Sequence, residues 1–289
     1  IPALIRAMRP KQWVKNLLVF SAPLAAGAIL QPDVLAQSAL AFVAFCAVSA
    51  SIYLINDVRD VESDRQHPKK RLRPIAAGEL SERLALVLAA ITLLVALALG
   101  FLTAPWLVVV LAVYWVLQVS YSLFAKNQPV IDLAMVAAGF LLRAVAGGVA
   151  SDIPLSQWFL LVASFGSLFM VAGKRYSEMV QLGPEAGTRA SLARYTDTYL
   201  RFVWTLAAGL VIMAYGLWAF DLRTAAAGHW AGIPWAQVSI APFTLAMLRY
   251  AFQIDLGEAG EPEDVVLGDR MLQAMGLCWA IPIALMFVH

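Results

Sequence analysis

Apolar runs separated by short polar breaks recur from one end of this 289-residue chain to the other. Nine are long enough to cross a bilayer, at about 14–31, 36–56, 83–103, 106–125, 130–150, 155–175, 199–220, 233–253 and 268–288. Apolar runs of that length predict membrane-spanning helices rather than strands. Together they use most of the sequence and leave no room for a soluble domain. Residues 1–289 therefore read as a single all-α transmembrane domain.

Charge tests this division independently. Basic residues collect on the cytoplasmic side of membrane proteins. With the N-terminus inside, nine spans put 19 of the 21 basic residues in inner segments. Arg223 falls outside and Arg143 lies within a span. A wrong span count would scatter them. Composition agrees, with 61% hydrophobic residues, 14% charged and a mean hydropathy of +0.75. A formal charge of +2 gives no reason to expect nucleic acid as a partner; the lipid bilayer is the expected one. Cys46 and Cys278 both sit in apolar runs, so no disulfide framework is implied. The basic residues before the first run could mimic a signal peptide. No small-residue cleavage site followed by polar sequence appears, so that run reads as a span.

The most polar inner stretch is Asn56-Asp57-Val58-Arg59-Asp60-Val61-Glu62-Ser63-Asp64, followed by Lys69-Lys70-Arg71-Leu72-Arg73. If the helix of the second span continues through it, Asp57, Asp60 and Asp64 fall at i, i+3 and i+7, on one face. Asn56 lies one turn before Asp60. Three carboxylates so close repel one another unless a cation sits among them. All-oxygen ligands suit Mg²⁺, which commonly bridges one or two protein carboxylates to substrate phosphates. Asn56, Asp57, Asp60 and Asp64 are the candidate catalytic and metal-binding residues. The downstream cations would take the remaining phosphate charge. The plainer alternative is a solvated acidic helix end.

Other polar positions carry two readings each. Lys15 and Asn16 are either interfacial anchors or the rim of a cavity facing the acidic stretch. Tyr121 and Lys126 are either membrane-belt residues or ligands. Arg143 lies about 16 Å along its helix from Asp132, near mid-membrane, where a charge must face a cavity or a partner. Ser81 is expected to cap the third span, with Glu82 in its first turn. His67 reads as a solvated side chain. Gly173-Lys174-Arg175-Tyr176-Ser177-Glu178 follows span six as the acidic stretch follows span two. This four-helix offset suggests a weak internal repeat, with both loops roofing one central cavity. The acidic loop from Asp255 to Asp269 reads mostly as solvated surface.

The stretch NDVRDVESD resembles the first aspartate-rich motif, NDxxDxxxD, of the UbiA superfamily of intramembrane prenyltransferases, and Arg73-Pro74-Ile75-Ala76-Ala77-Gly78 is similar to its trailing RPxxxG. The resemblance implies nine transmembrane helices around a central cavity capped by cytoplasmic loops. It gives Asp57, Asp60 and Asp64, with Asn56 assisting, the task of holding Mg²⁺ against a diphosphate. The family's second motif, a DxxxD after span six, is replaced here by Lys174 to Glu178. In this the chain resembles the branch whose members move a 5-phosphoribosyl group from phosphoribosyl diphosphate (PRPP) to a polyprenyl (decaprenyl) phosphate, in the pathway to the arabinose donor for cell-wall polysaccharide. Arg9-Pro10-Lys11-Gln12-Trp13-Val14-Lys15-Asn16 and the stretch from Gly139 to Gly148 are similar to that branch too.

Phosphate binding then falls to Lys15, Asn16, Arg59, Arg65, Lys70, Arg73, Tyr121, Lys126, Arg143, Lys174, Arg175, Tyr176 and Glu178. The resemblance implies a multi-pass plasma-membrane enzyme with a cytoplasmic N-terminus and active site. A homo-oligomer is compatible with the sequence and not required by it. One rival is a prenyltransferase that transfers a prenyl group from its diphosphate to an aromatic or quinone-precursor acceptor. The other is a transporter, which needs access from both sides, whereas the charged motifs here crowd one side.

Overall fold

The computed structural model describes residues 2–182, 194–221 and 233–287, and every regular element among them is helical. Arg189 and Arg223, used in the charge count, lie outside the described residues. Six helical stretches have the length and hydropathy to cross a membrane: Pro32–Arg59, Glu82–Thr103, Pro105–Ala125, Ile131–Ala150, Gln157–Gln181 and Asp197–Asp221. They match six of the nine expected spans.

The other three segments differ from the expectation. The first is a 3-10 helix, Pro10–Phe20, continued by a five-residue α-helix, Ser21–Ala25. The eighth breaks at Ser239 into Trp235–Val238 and the 16-residue Ile240–Asp255. The ninth is a 17-residue helix, Arg270–Met286, with Pro282 inside it. In chain order the α-helices are α1 (Ala3–Ala7), α2 (Ser21–Ala25), α3 (Pro32–Arg59), α4 (Val61–Gln66), α5 (Glu82–Thr103), α6 (Pro105–Ser120) and α7 (Ile131–Ala150). Then follow α8 (Gln157–Leu182), α9 (Asp197–Asp221), α10 (Trp235–Val238), α11 (Ile240–Asp255), α12 (Pro262–Gly268) and α13 (Arg270–Met286).

Local chemistry sets the helix starts. Pro32 and Pro105 open α3 and α6, where a missing N–H costs nothing. The Ser81 hydroxyl accepts the Leu84 N–H at 3.3 Å and caps α5, as expected. Asp269 caps α13 by accepting the N–H groups of Met271 and Leu272.

The chain divides into two compact units. The first comprises Ile1–Ala125 and Gly139–Leu155. Phe45, Val48, Leu107, Leu111 and Tyr114 form its core, with Ala41, Ala44, Ala96 and Ala146 between them. Lipid tails are as apolar as leucine, so such helices are held by close packing, which small residues permit. Gly147 is the sharpest case: a Cβ there would collide with the Val19 carbonyl oxygen on the 3-10 helix. The second unit comprises Lys126–Ala138 and Ser156–His289. Here α8 packs on α9, and α11 on α13. The Tyr215 and Phe243 rings stack at 3.9 Å. Trp279 donates to the Tyr215 hydroxyl at 2.7 Å.

Candidate active site

The helix of the acidic stretch does not run straight through it. α3 ends at Arg59, Asp60 sits at the joint with φ −91° and ψ 10°, and α4 begins at Val61. The backbone ladder nevertheless carries across, with Asp60 N–H bonded to Asn56 O at 2.9 Å and Asp64 N–H to Asp60 O at 2.8 Å. Asp57 and Asp64 therefore still share a face, and both are buried.

Their neighbour is Arg73. Its Nη1 lies 2.5 Å from Asp64 Oδ2 and 3.3 Å from Asp57 Oδ1, bridging the two carboxylates. The RPxxxG sequence explains this placement. A residue before proline is pushed out of the helical region, and Arg73 is extended, with φ −66° and ψ 141°. The chain then turns tightly. Ala77 N–H bonds to Arg73 O, and Glu79 and Leu80 both donate to Pro74 O. Ile75 is buried and anchors the turn. Gly78 closes it at φ +77°, a conformation that glycine adopts without strain.

Arg9 also pairs with Asp57. It was counted among the inner charges but not among the site residues. Its own φ is +53°, and its guanidinium lies 5.2 Å from the centre of the Tyr53 ring. Two sequence cues pointed to it: Arg9 precedes Pro10 at the start of a helix, and it opens the stretch from Arg9 to Asn16 that resembles the phosphoribosyl-transferring branch.

Asn56 Oδ1 is buried with no hydrogen-bond partner. Among the described residues no three carboxylate, histidine or cysteine side chains gather closely enough to hold a metal by themselves. Two buried carboxylates and an orphaned amide oxygen are still a fitting donor set for Mg²⁺, which usually takes one or two carboxylates and completes its shell with water and phosphate.

The other candidates in the first unit lie elsewhere. Arg59 donates to the carbonyl oxygens of Ser122 and Leu123, within the π-helical turn Tyr121–Ala125 that also holds Tyr121. Arg65 pairs with Glu62 at 2.6 Å, and Lys70 is exposed. Lys15 is half-buried. Asn16 is fully buried, accepting from Arg143 Nε at 2.8 Å and donating to Cys46 Sγ at 3.4 Å. Arg143 also donates to Gly139 O at 2.8 Å and to the Tyr114 hydroxyl at 2.6 Å. None of these three hydrogen-bond partners is acidic. His67 is less idle than expected: its Nδ1 accepts the N–H groups of Lys69 and Lys70.

In the second unit Lys174, Arg175 and Tyr176 each lie against protein partners. Lys174 Nζ lies 3.1 Å from Glu261 and 3.9 Å from Glu178. Arg175 is buried 3.4 Å from Asp132 and 3.4 Å from Glu178. The Tyr176 hydroxyl accepts from Arg201 at 2.5 Å. Lys126 is half-buried. Asp132 and Tyr195 were missed as members of this cluster. The Tyr195 hydroxyl donates to Asp132 and accepts the Val130 N–H at 2.6 Å. Burial, then the Asp132 carboxylate, pushes the Tyr195 hydroxyl well above the usual phenol range. Val130 is held at φ +69°, a strained conformation for a β-branched residue.

Residues 17–272 match the family described as the UbiA prenyltransferase family. The chain belongs to the UbiA prenyltransferase family. Among relatives of this UbiA chain, a decaprenyl-phosphate phosphoribosyltransferase from Mycolicibacterium smegmatis is 52% identical, covering 96% of this chain and 90% of the relative. One of the same name from Corynebacterium glutamicum is 52% identical over 98% of this chain and 86% of its own length. The UbiA fold itself is seen in a UbiA homolog from Archaeoglobus fulgidus, solved bound to DMAPP and Mg²⁺. It superimposes with a TM-score of 0.72 at 18% identity, covering 98% of this chain and 97% of that one.

Proposed function

We propose that this chain is a decaprenyl-phosphate phosphoribosyltransferase, moving 5-phosphoribosyl from PRPP to decaprenyl phosphate with release of diphosphate. The observation that carries this reading is identity at about half of all positions, over nearly the whole chain, to relatives of that name. The reaction breaks the bond between ribose C1 and the diphosphate oxygen, and forms one from C1 to an oxygen of the lipid phosphate. That nucleophile is already an anion, so no general base is required. The described histidine, His67, is accordingly free to serve as a turn cap.

Asp57, Asp64 and Asn56, with Asp60 at the joint, would hold Mg²⁺. The bound ion would offset charge on the departing diphosphate. Arg73 and Arg9, now paired with those carboxylates, turn their remaining donors to phosphate oxygens. Developing positive charge on the ribosyl carbon is eased by the same carboxylates. Lys174, only half-buried, is the cation of the second unit offered to a phosphate. On this reading residues 1–289 act as one catalytic domain of a plasma-membrane protein, with nine spans and the site on the cytoplasmic side.

The deciding experiment presents purified protein and Mg²⁺ with decaprenyl phosphate, labelled PRPP and labelled prenyl diphosphate. Label from PRPP is expected in the lipid phase. Entry of the prenyl label alone would establish the prenyltransferase instead.

A further inference from the structure

The face of α3 that carries Asp57 continues into the span. Tyr53 lies four residues earlier, about 6 Å from Asp57 along the helix and on the same side of it. Arg9, which pairs with Asp57, sets its guanidinium 5.2 Å from the centre of the Tyr53 ring. That contact holds the ring beside the acid pair. The Tyr53 hydroxyl is differently placed. It makes no hydrogen bond among the described residues, and although the side chain is half-buried, this oxygen is not one of the sealed polar atoms. It stands open, with a proton to donate.

Its surroundings select the partner. Arg9 and Arg143 both act electrostatically on this hydroxyl. Arg143 is buried among uncharged partners, Asn16, Gly139 and Tyr114, so they do not cancel its charge, which needs no contact to be felt in a low dielectric. An open donor under two cations suits an anion. Depth says which anion. PRPP is water-soluble and meets the acids at the end of α3. The acceptor is anchored in the bilayer by its tail, so its phosphate comes from the span side. In a direct displacement the attacking oxygen waits about 3–3.5 Å from ribose C1, away from the departing diphosphate. With the diphosphate at Asp57 and Asp64, that place lies one turn further into the span, at Tyr53. We infer that Tyr53 binds the acceptor, its hydroxyl donating to one oxygen of the lipid phosphate while another faces C1. This role rests on the reaction proposed above and adds to it a residue that serves the acceptor alone.

Tyr53→Phe keeps the ring against Arg9 and removes only the hydroxyl. The test titrates native and variant full chain in detergent with decaprenyl phosphate, and with decaprenol as the same tail without its phosphate. KM for PRPP and for the lipid phosphate is then measured separately. Affinity for decaprenyl phosphate is expected to fall roughly ten- to a hundredfold, the loss of one hydrogen bond to a charged group. KM for that lipid should rise with it, while KM for PRPP and the binding of decaprenol stay native. Unchanged affinity for decaprenyl phosphate in the variant would overturn the inference. So would a rise in KM for PRPP alone, or an equal loss of decaprenol, which would make Tyr53 a packing residue. A native chain that transfers no label from PRPP sinks the reaction and this role together. Transfer by the native chain, with lipid-phosphate affinity intact in Tyr53→Phe, sinks the role alone.

Discussion

Two ionic clusters invite comparison, one in each unit. In the first, the buried partners are the acids, Asp57 and Asp64, while Arg9 and Arg73 keep 27% and 28% of their side chains in contact with solvent. In the second, Arg175 and Asp132 are both sealed inside, and the remaining acids, Glu178 and Glu261, lie on the more open side with Lys174. The first cluster can exchange its counter-ions without unpacking anything. The second cannot release Arg175 without stranding a charge. An exchangeable acid pair suits a site that meets metal and phosphate in turn, whereas a sealed ion pair suits a strut.

Breaking each cluster should expose that difference. The largest effect is expected from Asp57→Ala or Asp64→Ala. Turnover should fall by at least ~1,000-fold, as when a main electrostatic contributor is lost, and chelation of Mg²⁺ should do the same to the native chain. Melting temperature should barely follow. Asp132→Ala is expected to do the reverse, costing about 3–5 kcal/mol by removing the buried carboxylate that faces the buried Arg175 guanidinium. A thermal melt in detergent would reveal this, and a melt unchanged from native would refute the strut. Lys174→Ala should raise KM for one phosphate-bearing substrate roughly ten- to a hundredfold, the range of a charged hydrogen bond, and leave the melt alone.

Tyr195→Phe gives the smallest and most pH-specific change. The Tyr195 hydroxyl holds its proton more tightly in the folded chain than an unfolded tyrosine, whose ordinary value is 10.0. Its contribution is therefore complete below about pH 10 and is lost as the pH rises through the folded value. Native protein should lose stability above about pH 10 more steeply than the Phe variant, measured as melting temperature against pH.

Local features were legible in the sequence because neighbours along the chain create them. The Ser81 cap and the shared face of Asp57 and Asp64 both depend on spacings of a few residues. Long-range partners were not. Arg9 with Asp57, Tyr195 with Asp132, and Arg143 with Asn16 and Tyr114 depend on how each helix is rotated about its axis. A helix apolar nearly all round does not reveal that. The acidic loop after α11 is mostly surface, as expected, with Asp255, Glu258, Glu261 and Asp264 exposed, and Asp269 is its exception. Asp269 reads as surface until Arg249 and Gln253 are folded against it.

The 3-10 helix at the start of the chain meets α7 at two levels, Asn16 on Arg143 and Val19 on Gly147. Three residues at 2.0 Å of rise and four at 1.5 Å both advance about 6 Å. Two threads of unequal pitch thus come back into step once per turn, like the scales of a vernier. Inserting one residue between Asn16 and Val19, or between Arg143 and Gly147, would strip the thread while leaving every side chain intact.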